Sequence, residues 1–135
     1  MNMQMSHPSV IMTPSHAALF NSIETMPFVQ GYIDAMLRCS YVEGRSAADL
    51  TEAALGKIVL DCHYFQTSMA EYLGRGEMCD LEQCGEDFWM SRHALQGFLS
   101  HGYDPLVALT LFNAAIKFGA VRLYITPEGQ LEITH

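Results

Sequence analysis

The densest concentration of chemically capable side chains lies between Cys84 and Tyr103, in the run CGEDFWMSRHALQGFLSHGY. Two acids (Glu86, Asp87), an arginine (Arg92), two histidines (His93, His101) and the chain's single tryptophan, Trp89, fall there among glycines. Asp87 with His93 has the composition of an acid–base pair, because imidazole is the side chain whose ordinary pKa lies nearest neutrality. No nucleophile or cofactor motif accompanies them. The chain has no phosphate-cradling glycine loop, no Gly-x-Ser-x-Gly elbow and no His-Glu-x-x-His. No cofactor is therefore expected, and a small enzyme using Asp87 and His93 stands as the alternative to a binding role.

Metal and thiol chemistry are weaker readings. A zinc site drawn from Cys79, Cys84, His93 and His101 would need looser spacing than zinc patterns use, above all between the two histidines. No metal is expected. Cys62 and His63 are adjacent, and adjacent helical residues point about 100° apart, which is wrong for a nucleophile and its base. Four cysteines would allow two disulfides in an oxidising compartment; Cys39 and Cys62 fall on apolar helix faces, which favours reduced thiols.

The binding reading starts from DFWMS, residues 87–91. Read as a strand, this segment turns Asp87, Trp89 and Ser91 to one face and Phe88 and Met90 to the core. An exposed Trp89 beside Arg92 has the composition of a binding hot spot, whereas the plainer reading has Trp89 covering the edge of the core. The expected binding residues are Glu86, Asp87, Trp89, Arg92, His93 and His101.

The elements that must position them follow from periodicity. From Pro27, helical spacing of Phe28, Tyr32, Met36 and Cys39 predicts a helix over 27–42. A second helix is expected over 51–73, stopped by Gly74 and Gly76. Asp104 as N-cap and Pro105 behind it start a third, whose apolar face of Leu106, Leu109, Phe112, Ala115 and Ile116 should lie in the core. The period then becomes two, giving a β-hairpin over 120–134 around Thr126–Gly129. The fold class is therefore α+β, about three helices on a small antiparallel sheet made of the hairpin and the strand near 87–91. Residues 1–26 read as a partly ordered arm and 27–135 as a single domain.

Composition bounds the partners. The 135 residues suit one domain, and the sequence has neither a long apolar span nor a secretory start, so a membrane is not expected. A net charge of −8 with only seven scattered Lys and Arg argues against direct nucleic-acid binding. The acidity serves solubility, or mimics nucleic acid if Glu82, Glu86, Asp87 and Asp104 form one continuous surface. An uncovered hairpin edge over 121–134 would pair with a second copy and make a homodimer.

The pattern formed by Gly85, Asp87, Phe88, Trp89, Met90, Ser91 and Arg92, then Gly97 and Phe98, then Lys117, Phe118 and Gly119, then Leu123, Tyr124, Glu128 and Gly129 resembles a family of small, acidic, uncharacterised tailed-bacteriophage proteins. DCHYF around Asp61 and Phe65 is similar more loosely. Glu86 replaces the family's histidine, and His93, Ala94, Leu95 and Gln96 replace its Asn-Gly-His-Gly loop. The resemblance implies a phage accessory protein acting in the host cytoplasm. The expected role is to bind and inhibit a host bacterial protein, such as a defence or nucleic-acid-processing machine, or else to serve as a homo-oligomeric structural or assembly component.

Overall fold

A computed structural model describes residues 13–42, 44–75 and 80–134. Among them are six helices: α1 (Pro14–Ser22), α2 (Pro27–Cys39), α3 (Glu52–Ser68), α4 (Ala70–Arg75), α5 (Leu81–Arg92) and α6 (Pro105–Ile116). Two strands, β1 (Arg122–Ile125) and β2 (Leu131–Thr134), form an antiparallel hairpin pairing Arg122 with Thr134 and Ile125 with Leu131. The α+β class holds, with more helices than the three expected.

Local chemistry places the helix starts. Thr51 accepts the Ala54 amide hydrogen at the head of α3, Asp80 accepts those of Glu82 and Gln83 on α5, and Asp104 those of Leu106 and Val107 on α6. Each side chain satisfies donors that the first turn leaves without partners. Proline opens α1, α2 and α6, where its missing N–H costs nothing.

The segment 87–91 is helical, not a strand. Its Asp80 cap starts a helix, and Cys84, Asp87, Phe88, Ser91 and Arg92 all turn inward at spacings of three and four. Aromatic richness reflects a half-buried surface, and here a helix face supplies it. The sheet therefore has two strands among the described residues. The expected helix over 51–73 breaks at Met69, whose φ of −109° and ψ of 17° leave the helical region. The first predicted helix stops at Cys39 rather than 42, and residues 14–22 of the expected arm are helical.

The core sits between α2, α3 and α5, where Phe28, Tyr32, Phe65, Phe88 and Phe98 are all buried. Phe65 and Phe88 stack with centroids 4.2 Å apart. Gly31 of α2 and Gly85 of α5 let the two backbones touch: a Cβ on Gly31 would lie 2.8 Å from the carbonyl carbon of Glu82, and one on Gly85 2.8 Å from that of Phe28. α6 closes this core with Ala108, Leu111 and Ala115. The expected core face of α6 is in large part its outer face, since Leu106, Leu109 and Ile116 are exposed. No helix of the described residues is long and apolar enough to cross a membrane.

Candidate functional site

Once 81–92 is a helix, Gln83, Asp87 and Ser91 stand one turn apart on the same side, facing the connection from α5 to α6. Asp87 is wholly buried. Its Oδ1 accepts a hydrogen bond from Gln83 Nε2 at 3.1 Å and lies 2.7 Å from His101 Nδ1. Its Oδ2 accepts from the Tyr103 hydroxyl at 2.9 Å. Three donors thus converge on one carboxylate, which is what a buried carboxylate requires.

Ser91 ties down the same connection. Its Oγ accepts the Phe98 amide hydrogen at 3.1 Å, and the Phe98 ring is fully buried. Gly97, with φ of +45°, passes so close to α5 that a Cβ would sit 2.7 Å from the Asp87 carbonyl oxygen. Glycine is needed there for both reasons. His101 is left with its side chain 45% exposed. Because Nδ1 faces Asp87, and Gly97 O at 3.1 Å, Nε2 points outward with no bond to any described residue.

Burial is the main influence on Asp87, and it lifts the carboxyl above the ordinary carboxylate range, against the Tyr103 hydrogen bond, the His101 charge and the Gln83 amide. Burial, followed by the charge of Asp87, raises the Tyr103 phenol well above its usual value. Chemically, a buried acid that fixes Nδ1 of a half-exposed imidazole presents Nε2 as a proton acceptor.

The expected pairing of Asp87 with His93 is corrected: Asp87 meets His101. His93 is occupied elsewhere, with Nδ1 2.8 Å from the Trp89 carbonyl oxygen and Nε2 accepting the Val121 amide hydrogen at 3.0 Å. It clamps the hairpin to α5. Its ring stacks on Trp89 at 4.1 Å.

The expected exposed rim of Trp89 and Arg92 is corrected as well. Trp89 is buried, and its indole N–H has no acceptor among the described residues. Arg92 has a fully buried side chain bonded to Asp61 Oδ2 at 3.1 Å, to the Tyr32 hydroxyl at 3.0 Å and to the carbonyl oxygens of Gly119 at 2.7 Å and Phe118 at 3.2 Å. It lies over the rings of Phe88 and Phe118. The geometry is that of a staple holding α2, α3, α5 and the end of α6 together. Glu86 remains near the surface, 3.4 Å from Arg38. With Asp87 buried, Glu82, Glu86, Asp87 and Asp104 do not form one acidic face.

Cys39 and Cys62 are free thiols as read from the sequence, and burial pushes the Cys62 thiol well up. Cys84 is disulfide-bonded, against the expectation of reduced thiols throughout; Cys79 lies outside the described residues. Among the described residues no three His, Cys, Asp or Glu side chains gather as a metal site.

Sequence reading missed Gln83, Tyr103 and Asp61. Gln83 was legible only through the i, i+4 spacing of a helix that the strand reading hid. Tyr103 and Asp61 reach their partners across the fold and carry no local signal. Three concavities of about 330, 260 and 310 Å³ are lined by none of Gln83, Asp87, His101 or Tyr103. Set against known protein families, curated proteins and solved structures, the chain matches none.

Proposed function

We propose that the chain is a non-enzymatic phage accessory protein that binds a host bacterial protein through the connection between α5 and α6, residues 93–104. The observation that carries this reading is the rigid mounting of that connection. Asp87, Ser91 and Phe98 hold it from beneath, while Leu95, Leu99 and His101 are exposed above. A loop fixed in shape before binding loses less conformational freedom when a partner docks, and two apolar side chains beside an imidazole offer such a partner both area and a polar contact. The phage-like pattern around Asp87 supplies the biological setting. The surface differs from the one the sequence suggested because Trp89 and Arg92 point inward.

The test is capture from bacterial lysate with the tagged full chain, beside a Leu95→Ser, Leu99→Ser, His101→Ala variant whose melting curve matches the parent. One stoichiometric protein bound by the parent and lost by the variant is expected. The same protein retained by the folded variant would place the binding surface elsewhere, and no captured protein would remove the binding reading.

A second reading rests on a specific observation, the 2.7 Å contact of His101 Nδ1 with Asp87. In it, His101 Nε2 takes a proton from a substrate while Asp87 holds the ring. A hydrolytic or isomerase activity found by substrate screening should then fall by about 10²-fold or more in His101→Gln. An activity untouched by that change would belong to another site.

A further inference from the structure

α6 carries no charged residue from Pro105 to Ile116, in a chain whose net charge is −8. Ala108, Leu111 and Ala115 face the core. On the opposite side Leu106 is 73% exposed, Leu109 49% and Ile116 41%, with Asn113 exposed between the last two. At 100° per residue these four fall within about 80° of arc, a single stripe about 15 Å long. A helix apolar on both sides is normally covered on both.

The spacing of the stripe says what covers it. Leu106, Leu109, Asn113 and Ile116 follow each other at three, four and three residues, an order that reads the same in both directions about Leu111. Two such stripes laid antiparallel therefore match: Leu106 meets Ile116 of the second copy, and Leu109 meets its Asn113. The ends match in charge. Asp104 precedes the helix and Lys117 follows it, both exposed, so each acid of one copy meets the lysine of the other. Unlike charges at the helix ends thus lie opposite each other, which offsets part of the repulsion between two acidic copies.

We infer that α6 is a homodimerisation helix, docking antiparallel on α6 of a second copy about a twofold axis at Leu111. This surface shares only Asp104 with the 93–104 connection, and the substitutions that test the two have no residue in common, so it stands or falls independently of the proposed host-protein binding. One helix per copy buries less than the roughly 800 Å² per partner of a standard interface, so the dimer forms in the micromolar range or weaker.

Sedimentation equilibrium of the full chain across a concentration series should show the apparent mass rising from 15.1 kDa towards twice that value. Leu109→Asp, at an exposed site, should abolish the rise without lowering the melting temperature. Lys117→Glu, which sets two carboxylates facing at each end, should weaken association by about three-fold or more. A parent that stays monomeric, or a dimer that survives Leu109→Asp, overturns the proposal. A dimer lost in Leu109→Asp but indifferent to Lys117→Glu overturns the antiparallel register. A monomer that instead captures an unrelated lysate protein through Leu106 and Leu109 assigns the stripe to a different partner and also overturns it.

Discussion

Arg92 shows how a residue type that suggests binding can serve cohesion instead. Its guanidinium spreads four bonds over Asp61, Tyr32, Phe118 and Gly119 with no exposure of the side chain. That planar fork is what lysine lacks. Arg92→Lys should therefore cost about 2 kcal/mol or more, and Arg92→Ala about 3–5 kcal/mol by removing the buried partner of two carbonyls and of Asp61 Oδ2, with Lys57 still on Oδ1 at 3.2 Å. Urea denaturation followed by circular dichroism checks both; loss of less than about 0.5 kcal/mol in Arg92→Lys would mean that the network contributes little. Asp87 makes a prediction in pH. Its carboxyl is raised in the folded chain, so folding favours the protonated form. That stabilisation is whole below the ordinary carboxylate pKa of about 4 and is lost as pH rises through the raised folded value. Asp87→Asn resembles the protonated acid and should lack this decline, so its stability should fall less than the parent's over that interval. Equal slopes from denaturation midpoints at several pH values would show that Asp87 does not titrate there. Of this site Asp87 and His101 were legible in the sequence, whereas Gln83, Tyr103 and the pairing were not, because Asp87 meets His101 and Tyr103 across a turn whose closure depends on Gly97 and buried Phe98.

At the scale of elements, α2 and α5 form the tightest pair, and two glycines set their distance. Alanine is about 1 kcal/mol the better helix former, so an exposed helical glycine is improved by it. Gly56 of α3 has open space where a Cβ would go, while Gly31 and Gly85 have opposing backbone there. Gly56→Ala should stabilise by up to about 1 kcal/mol, whereas Gly31→Ala and Gly85→Ala should destabilise by about 1–3 kcal/mol because backbone cannot step aside as a flexible side chain can. Thermal melts of the three variants decide this, and a stabilising Gly85→Ala would contradict the crossing. Helix starts were legible because a cap is a local event: Thr51, Asp104 and Pro105 act within one turn. The state of 81–92 was not, since its Asp80 cap competes with an aromatic run that also suits a strand. The buried side of α6 was misread for a related reason. That helix is apolar all round, and periodicity cannot choose a face when both are apolar.

Across the whole molecule, the residues of the Gly-x-Asp-Phe-Trp-Met-Ser-Arg pattern and its companions are largely those that lock the chain to itself. Asp61, Phe65, Asp87, Phe88, Trp89, Arg92 and Phe98 are buried, and Phe118 and Gly119 supply carbonyl oxygens to Arg92. Such a pattern specifies a fold, and the parts free to meet a partner lie between its members. The hairpin completes the closure. Leu131 bridges Leu50, the Thr51 amide donates to Leu131 O at 3.0 Å, the Thr51 hydroxyl donates to Glu132 at 2.9 Å, and Arg45 donates to Gly129 O. The last strand is thereby fastened to the segment that leads into α3. Leu131 and Ile125 sit opposite each other in the hairpin, yet Leu131 is wholly buried and Ile125 is 51% exposed. The difference comes from outside the hairpin, where Leu50 lies beside β2. Leu131→Ala should then cost about 2–5 kcal/mol, as for a filled core position, although it stands near the end of the chain. Ile125→Ala should change stability by no more than about 0.5 kcal/mol. Equal costs for the two, measured by urea denaturation, would mean that the hairpin is stabilised within itself; the expected inequality makes it part of the helical core.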